Sequence, residues 1–130
     1  MSGSFLDPLL KRPQDAWVLR NDRTSLIVAS SLECAFESAT RRKGLLGRTS
    51  LPADAALVIA PCNSIHTFFM RFAIDVVFVA RDGRVVRVSR AVPACRIRLA
   101  LRAFAVVELA AYALERSDTR EGDRLSLAQA

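Results

Sequence analysis

Long apolar runs are missing from this chain of 130 residues. The longest, near residues 76–80 and 103–113, are limited by charges well short of the roughly 20 residues that a bilayer span requires. Membrane insertion is therefore not expected. Residues 1–20 also lack the charged start, apolar centre and small-residue cleavage site of a secretory leader, so a cytoplasmic location is expected. Cysteine is scarce. Cys34, Cys62 and Cys95 stand far apart, and an odd number of them in a reducing compartment predicts free thiols rather than a disulfide framework. His66 is the only histidine. The chain has no phosphate-binding glycine-rich loop, no Gly-x-Ser-x-Gly elbow, no paired-cysteine zinc motif and no His-Glu-x-x-His segment. These absences weigh against the common enzyme classes that such motifs mark.

What the chain does have is apolar material, 52% of its residues, enough for one core and one domain at this length. Its net charge of +6 comes from 17 arginines and only two lysines, Lys11 and Lys43. A basic balance brings anionic partners such as nucleic acid into consideration. The distribution argues against them. Apart from Arg41-Arg42-Lys43, the arginines are spread out and often alternate with apolar residues, as at Arg84, Arg87 and Arg90, which is how a strand face is solvated.

Residues 1–15 mix Gly, Pro, Ser and charges without periodicity and read as an N-terminal extension laid over the surface, with a single domain over 16–130. Two apolar runs around Asn21-Asp22-Arg23 predict a hairpin. Ser30-Ser31-Leu32-Glu33 has the form of a capping box, and Leu32, Ala35, Phe36 and Ala39 make a stripe at helical spacing. A helix is expected there, with Glu37 and Arg41 paired one turn apart and Gly44 and Gly47 closing it. From Ile74 to Arg90, two Val-rich runs flank Asp82-Gly83, a strong hairpin turn. The implied register sets Val79 against Val86, Val77 against Val88, Phe78 against Arg87 and Asp75 against Arg90. Residues 104–109 read as a buried strand, 110–116 as a short helix, and 125–127 as a last strand after the Glu121-Gly122-Asp123 turn. Strands outnumber helices without βαβ regularity. The expected fold is α+β, a single domain with a mainly antiparallel sheet that curls or partly closes into a barrel, plus one or two helices.

Few residues stand out as carriers of chemistry. In an extended segment His66, Phe68, Met70 and Phe72 share one face, so the simplest reading buries the imidazole against backbone partners. A sharper reading makes His66 the general base for Cys62 or Cys95, or joins all three as soft ligands. Zinc sites usually need four such groups, and only three are present, so no metal or cofactor is expected. Asp75 and Glu108 are the carboxyl candidates for the catalytic set. Asp75 is expected to be neutralised by Arg90 across the hairpin, and Glu108, among apolar neighbours, needs a partner such as Arg48 or Arg71.

The segments Arg42-Lys43-Gly44-Leu45-Leu46-Gly47-Arg48, Ile65-His66-Thr67-Phe68-Phe69-Met70-Arg71-Phe72-Ala73-Ile74-Asp75 and Asp82-Gly83 resemble the domain of unknown function 192 family. The Pro93 segment, Val107-Glu108-Leu109 and Glu121-Gly122-Asp123 extend that resemblance over residues 25 to 127. It implies a β-rich domain with a helix or two, and no established reaction, substrate or cofactor. It marks Gly44, Arg48, His66, Phe69, Met70, Asp75, Glu108, Gly122 and Asp123 as shared-site candidates. The chain departs from the family pattern at Ala73, where proline is usual, and at Ala94-Cys95-Arg96. Many relatives carry export or anchoring segments, whereas a leader is not evident here, so a different compartment is expected. The combined expectation is a binding or accessory module with its site near His66–Asp75, using Arg48, His66, Phe69, Met70 and Arg71. Its partner would be a small molecule or a protein, not a nucleic acid or a membrane. A thiol, histidine or metal-assisted hydrolase or transferase is the alternative, and nucleic-acid binding through arginines a further one.

Overall fold

Alternating Val, Ile and Leu side chains in the middle of the chain build a five-stranded sheet, and the remaining elements pack on its two faces. The structure, a computed structural model, describes residues 3–130. In chain order the elements are α1 (Asp7–Lys11), β1 (Trp17–Asn21), β2 (Ile27–Ala29), β3 (Ser31–Ala35), α2 (Ser38–Lys43), β4 (Ala55–Ile59) and β5 (Ser64–His66). They continue with β6 (Ile74–Val79), β7 (Val85–Val92), β8 (Ile97–Leu99), β9 (Ala105–Ala110), α3 (Ala113–Arg116) and β10 (Leu125–Gln129). The main sheet has the order β3-β4-β9-β6-β7, beside a three-stranded sheet β10-β1-β2 and a pair β5-β8. Only β3 and β4 run parallel. The fold is thus α+β and mainly antiparallel, and its sheets remain open instead of closing into a barrel. The described residues hold three short helices, one more than the upper expectation. None of the described helices is long and apolar enough to cross a membrane.

Strand alternation divides the core in two. Val58, Val77, Val79, Val107 and Leu109 face the three-stranded sheet, where they meet Leu19, Val28, Leu114 and Leu125. Leu57, Ile59, Val76, Phe78 and Val106 face the other way, onto Leu45, Leu51 and Met70. Each such side chain contributes about 1.5–3 kcal/mol when fully buried, so both faces are strongly specified. Residues 3–15, expected as a surface extension, hold α1 and bury Leu6 and Leu9. The Phe5 amide donates to the Arg81 carbonyl at 2.7 Å, tying this segment to the β6–β7 turn.

The helix expected from the capping box is not formed. Residues 31–35 pair in parallel with 55–59 as β3, and α2 begins only at Ser38. Ladder bonds to a fully buried neighbour outweigh a local helix signal, which is a weak preference. Glu33 pairs with Arg48 rather than capping a helix. Arg41 donates to the Phe36 carbonyl at 3.1 Å instead of pairing with Glu37, and Gly44 closes α2 at φ 50° as the sequence predicts.

The β6–β7 hairpin keeps Val77 opposite Val88 and Phe78 opposite Arg87. Beyond those pairs the register shifts. Val79 faces Val85, because the Ala80 amide donates to Arg84 and Gly83 takes φ 92°, giving a three-residue turn with a bulge rather than a two-residue one. A second irregularity lies between Ile74 and Val76 and removes Asp75 from its expected position opposite Arg90.

Candidate functional site

Glu108 is the group around which a site can be built. It lies in β9, an interior strand of the main sheet, directly opposite Leu57 of β4 and Val76 of β6. The alternation that sends Val107 and Leu109 to one core sends Glu108 to the other, where an apolar residue would be expected. It is only 5% exposed. Over it lies a cavity of about 320 Å³ whose walls come from α2 and the turn after it, the end of β4, β5 and Met70. Arg41, Arg42 and Lys43 form one side, Leu45, Leu46 and Ile65 supply apolar surface, and Cys62 and His66 stand across from α2.

Gly44 lets the backbone close over the acid. At its φ of 50°, an added Cβ would lie 3.2 Å from Glu108 Oε1. Gly44→Ala is therefore expected to destabilise the domain by about 1–3 kcal/mol through backbone strain. Urea unfolding of the variant measures this, and an unchanged midpoint would show that the turn relaxes freely.

Among the described residues no group donates a hydrogen bond to the Glu108 carboxyl, yet neither of its oxygens is sealed from the cavity. Burial pushes its pKa up to about 7, and the field of Arg48 only partly opposes this. Arg48 is engaged elsewhere, donating to both carboxylate oxygens of Glu33 at 2.7 and 3.1 Å. That pair holds Glu33 below the usual carboxylate range. The expected Arg48 partner thus acts on Glu108 through space.

His66 is exposed, and its ring stacks on Phe68 with centroids 5.3 Å apart. This corrects the expectation of a buried imidazole. The extended run ends at His66, because Thr67 turns inward to donate to the Pro93 carbonyl at 2.6 Å and accept from the Arg96 amide at 2.8 Å. Cys62 shares the cavity with His66, but its thiol donates to the Ser64 carbonyl and burial raises its pKa, the opposite of activation. Cys95 is not part of the cavity lining. All three cysteines are free, and among the described residues no three His, Cys, Asp or Glu side chains converge to hold a metal ion.

The remaining candidates separate. Met70 lines the cavity, while Phe69, at φ 65° and 86% exposed, and Arg71 lie on the outer surface. Asp75 is on the opposite face of the sheet from Glu108, accepting the amides of Ala91 at 2.8 Å and Leu114 at 3.1 Å. Its expected partner Arg90 donates to the Thr119 carbonyl instead. Asp123, beside Gly122 in its turn, accepts from Asn21, Arg23 and the Arg120 amide, which lowers its pKa to about 2, with Arg23 the main cause. Sequence reasoning set aside the walls from α2, although Arg41-Arg42-Lys43, the one clustered run of cations, was a visible signal.

Fold and cavity together define an open-sheet α+β domain with a buried acid beneath a small basic-rimmed pocket. The chain belongs to the domain of unknown function 192 family (DUF192, uncharacterised ACR), which matches residues 18–127. Its fold is similar to that of a protein of unknown function from Novosphingobium aromaticivorans DSM 12444, at 20% identity and TM-score 0.73, covering 85% of this chain and 82% of that one. A protein from Sinorhizobium meliloti 1021, described as a proposed transcription regulator, is similar at 19% identity and TM-score 0.73, covering 85% and 90% of the two chains. No curated protein matches the chain.

Proposed function

We infer that this domain is a binding module for a small molecule, and that the cavity over Glu108 is its site. The observation that carries the reading is a buried carboxyl with no hydrogen-bond donor among the described residues, opening onto a cavity. An acid in that position weakens the fold, since an apolar residue of similar size would suit the interior better. A ligand that hydrogen-bonds to it offsets the cost. Below pH 7 the group is mainly a neutral acid, able to donate one hydrogen bond and accept others. Arg41, Arg42 and Lys43 favour an anionic substituent at the rim, and Leu45, Leu46, Ile65 and Met70 favour an apolar body between the two. In this reading His66 and Met70, which line the cavity, contact the ligand, and Arg48 tunes the acid.

A thiol–histidine hydrolase or transferase has in its favour that Cys62 and His66 share this cavity. The raised thiol pKa, and the lack among the described residues of a group hydrogen-bonded to the imidazole, weigh against it. Protein-observed NMR with a library of small carboxylates and their amides tests the binding reading. Binders should shift amides of residues 38–46, 62–66 and 108. Hits that perturb only other surfaces would contradict it.

A further inference from the structure

Five of the large apolar side chains that stay exposed fall on the β5–β8 pair and the turns leaving it: Phe68, Phe69, Ile97, Leu99 and Leu101. Phe69 and Leu101 are 86% and 81% exposed. Ser64 faces Leu99 and His66 faces Ile97, so these four side chains share one face of the pair. The Phe68 ring stacked on His66 extends that face. Ile65, on the other side, packs into the core. The outcome is an apolar strip that the described residues leave largely uncovered, a kind of surface that marks an interaction site.

The two segments that form the strip carry charge of one sign, and one acid from elsewhere in the chain, Glu121, lies beside Leu99 and Leu101 at its edge. The segments, residues 61–74 and 93–104, contain Arg71, Arg96, Arg98 and Arg102 and no Asp or Glu. None of these four arginines is in an ion pair among the described residues. The guanidinium groups of Arg96 and Arg98 donate only to carbonyls of their own segment.

We propose that this face docks peripherally on an anionic lipid surface. Aromatic and aliphatic tips enter the boundary between headgroups and acyl chains while arginine stems lie along it and their heads meet lipid phosphates. A second copy placed face to face would set arginine against arginine. A nucleic acid would answer the arginines but leave Ile97, Leu99 and Leu101 against phosphate and water. The proposal does not rest on the cavity reading, although Ser64 and His66 border both surfaces, and it involves no spanning segment; it revises the expectation of no membrane partner, which rested on the lack of a span.

Co-sedimentation of the full chain with vesicles of phosphatidylcholine, alone or mixed with phosphatidylglycerol, tests the proposal. Wild-type protein is expected to bind the mixed vesicles at least about tenfold more tightly than the neutral ones, with binding weakened by salt. The pair Phe69→Asn and Leu101→Ser should lower that binding about tenfold or more, because the inserted apolar surface is lost. Asn suits the positive φ at residue 69 and both positions are exposed, so folding is retained. The pair Arg96→Gln and Arg102→Gln gives an independent loss of similar size. Equal binding to both vesicle types, or full binding by the Phe69/Leu101 variant, would overturn the proposal. So would a dimer, seen by light scattering, that the same variant dissociates.

Discussion

Replacing Asp75 with alanine is expected to destabilise the domain by about 2–4 kcal/mol, since the buried Leu114 amide and the partly buried Ala91 amide lose their acceptor at about 1–3 kcal/mol each, the Ala91 amide at the lower end. Asp75 is 1% exposed and has one carboxyl oxygen on the Ala91 amide, in β7, and the other on the Leu114 amide, in α3. It therefore joins an irregular stretch of the β6–β7 ladder to the helix that follows β9. Asp75→Asn keeps one acceptor and should lose about half as much. Arg90→Ala removes one bond from an exposed side chain to the Thr119 carbonyl and should change stability by less than about 1 kcal/mol. Urea unfolding followed by Trp17 fluorescence ranks the three. Equal losses for Asp75→Ala and Arg90→Ala would restore the cross-hairpin ion pair that the sequence suggested.

Glu108→Gln is expected to stabilise the domain in a pH-dependent way. The folded-state pKa of Glu108 is raised from 4.5 to about 7. Below about pH 4.5 the group is protonated in both states and has no linked penalty. As pH rises through the window from 4.5 to about 7, the unfolded chain releases the proton while the fold retains it, so wild-type stability falls. Above that window the loss amounts to about 3 kcal/mol, at 1.36 kcal/mol for each unit. Glutamine does not ionise. The variant should gain up to about 3 kcal/mol over wild type near pH 8, and lose that advantage near pH 4. Asp123 acts with the opposite sign: its pKa is lowered from 3.8 to about 2, so its contribution is present above 3.8 and is lost as pH falls towards 2. Denaturation of wild type and variant across this range separates the two ends. A stability difference independent of pH would mean that Glu108 has an ordinary pKa and a donor after all.

The parts legible in the sequence were those whose local chemistry and tertiary role agree. Asp82-Gly83 between two Val-rich runs marked the β6–β7 hairpin, and its central pairs are the expected ones. Asn21-Asp22-Arg23 marked the β1–β2 turn, and Gly44 the end of α2. Ser30 to Phe36 was misread because a capping pattern is local, while the strand that forms there depends on a partner more than 20 residues on, at Ala55–Ile59. The segment after His66 was misread because alternation was carried through Thr67, which turns inward on bonds to Pro93 and Arg96.

The site was visible in fragments. Glu108 stood out as an acid in an apolar run, and Cys62, His66 and Met70 stood near one another in the chain. That Asp75 faces the opposite core, and that α2 supplies cations to the rim, follow from sheet parity and long-range pairing. The parity of Asp75 has no local signal in the sequence, and the Arg41-Arg42-Lys43 run, though visible, does not by itself show where it is placed.

Native mass spectrometry of the untagged protein and its Glu108→Leu variant tests the central claim most directly. Leucine fits the apolar surroundings of residue 108 and removes the polar group without weakening the fold. The account predicts a small bound species on the wild type that is absent from the variant. A bare mass for both, or the same species retained by the variant, would contradict it.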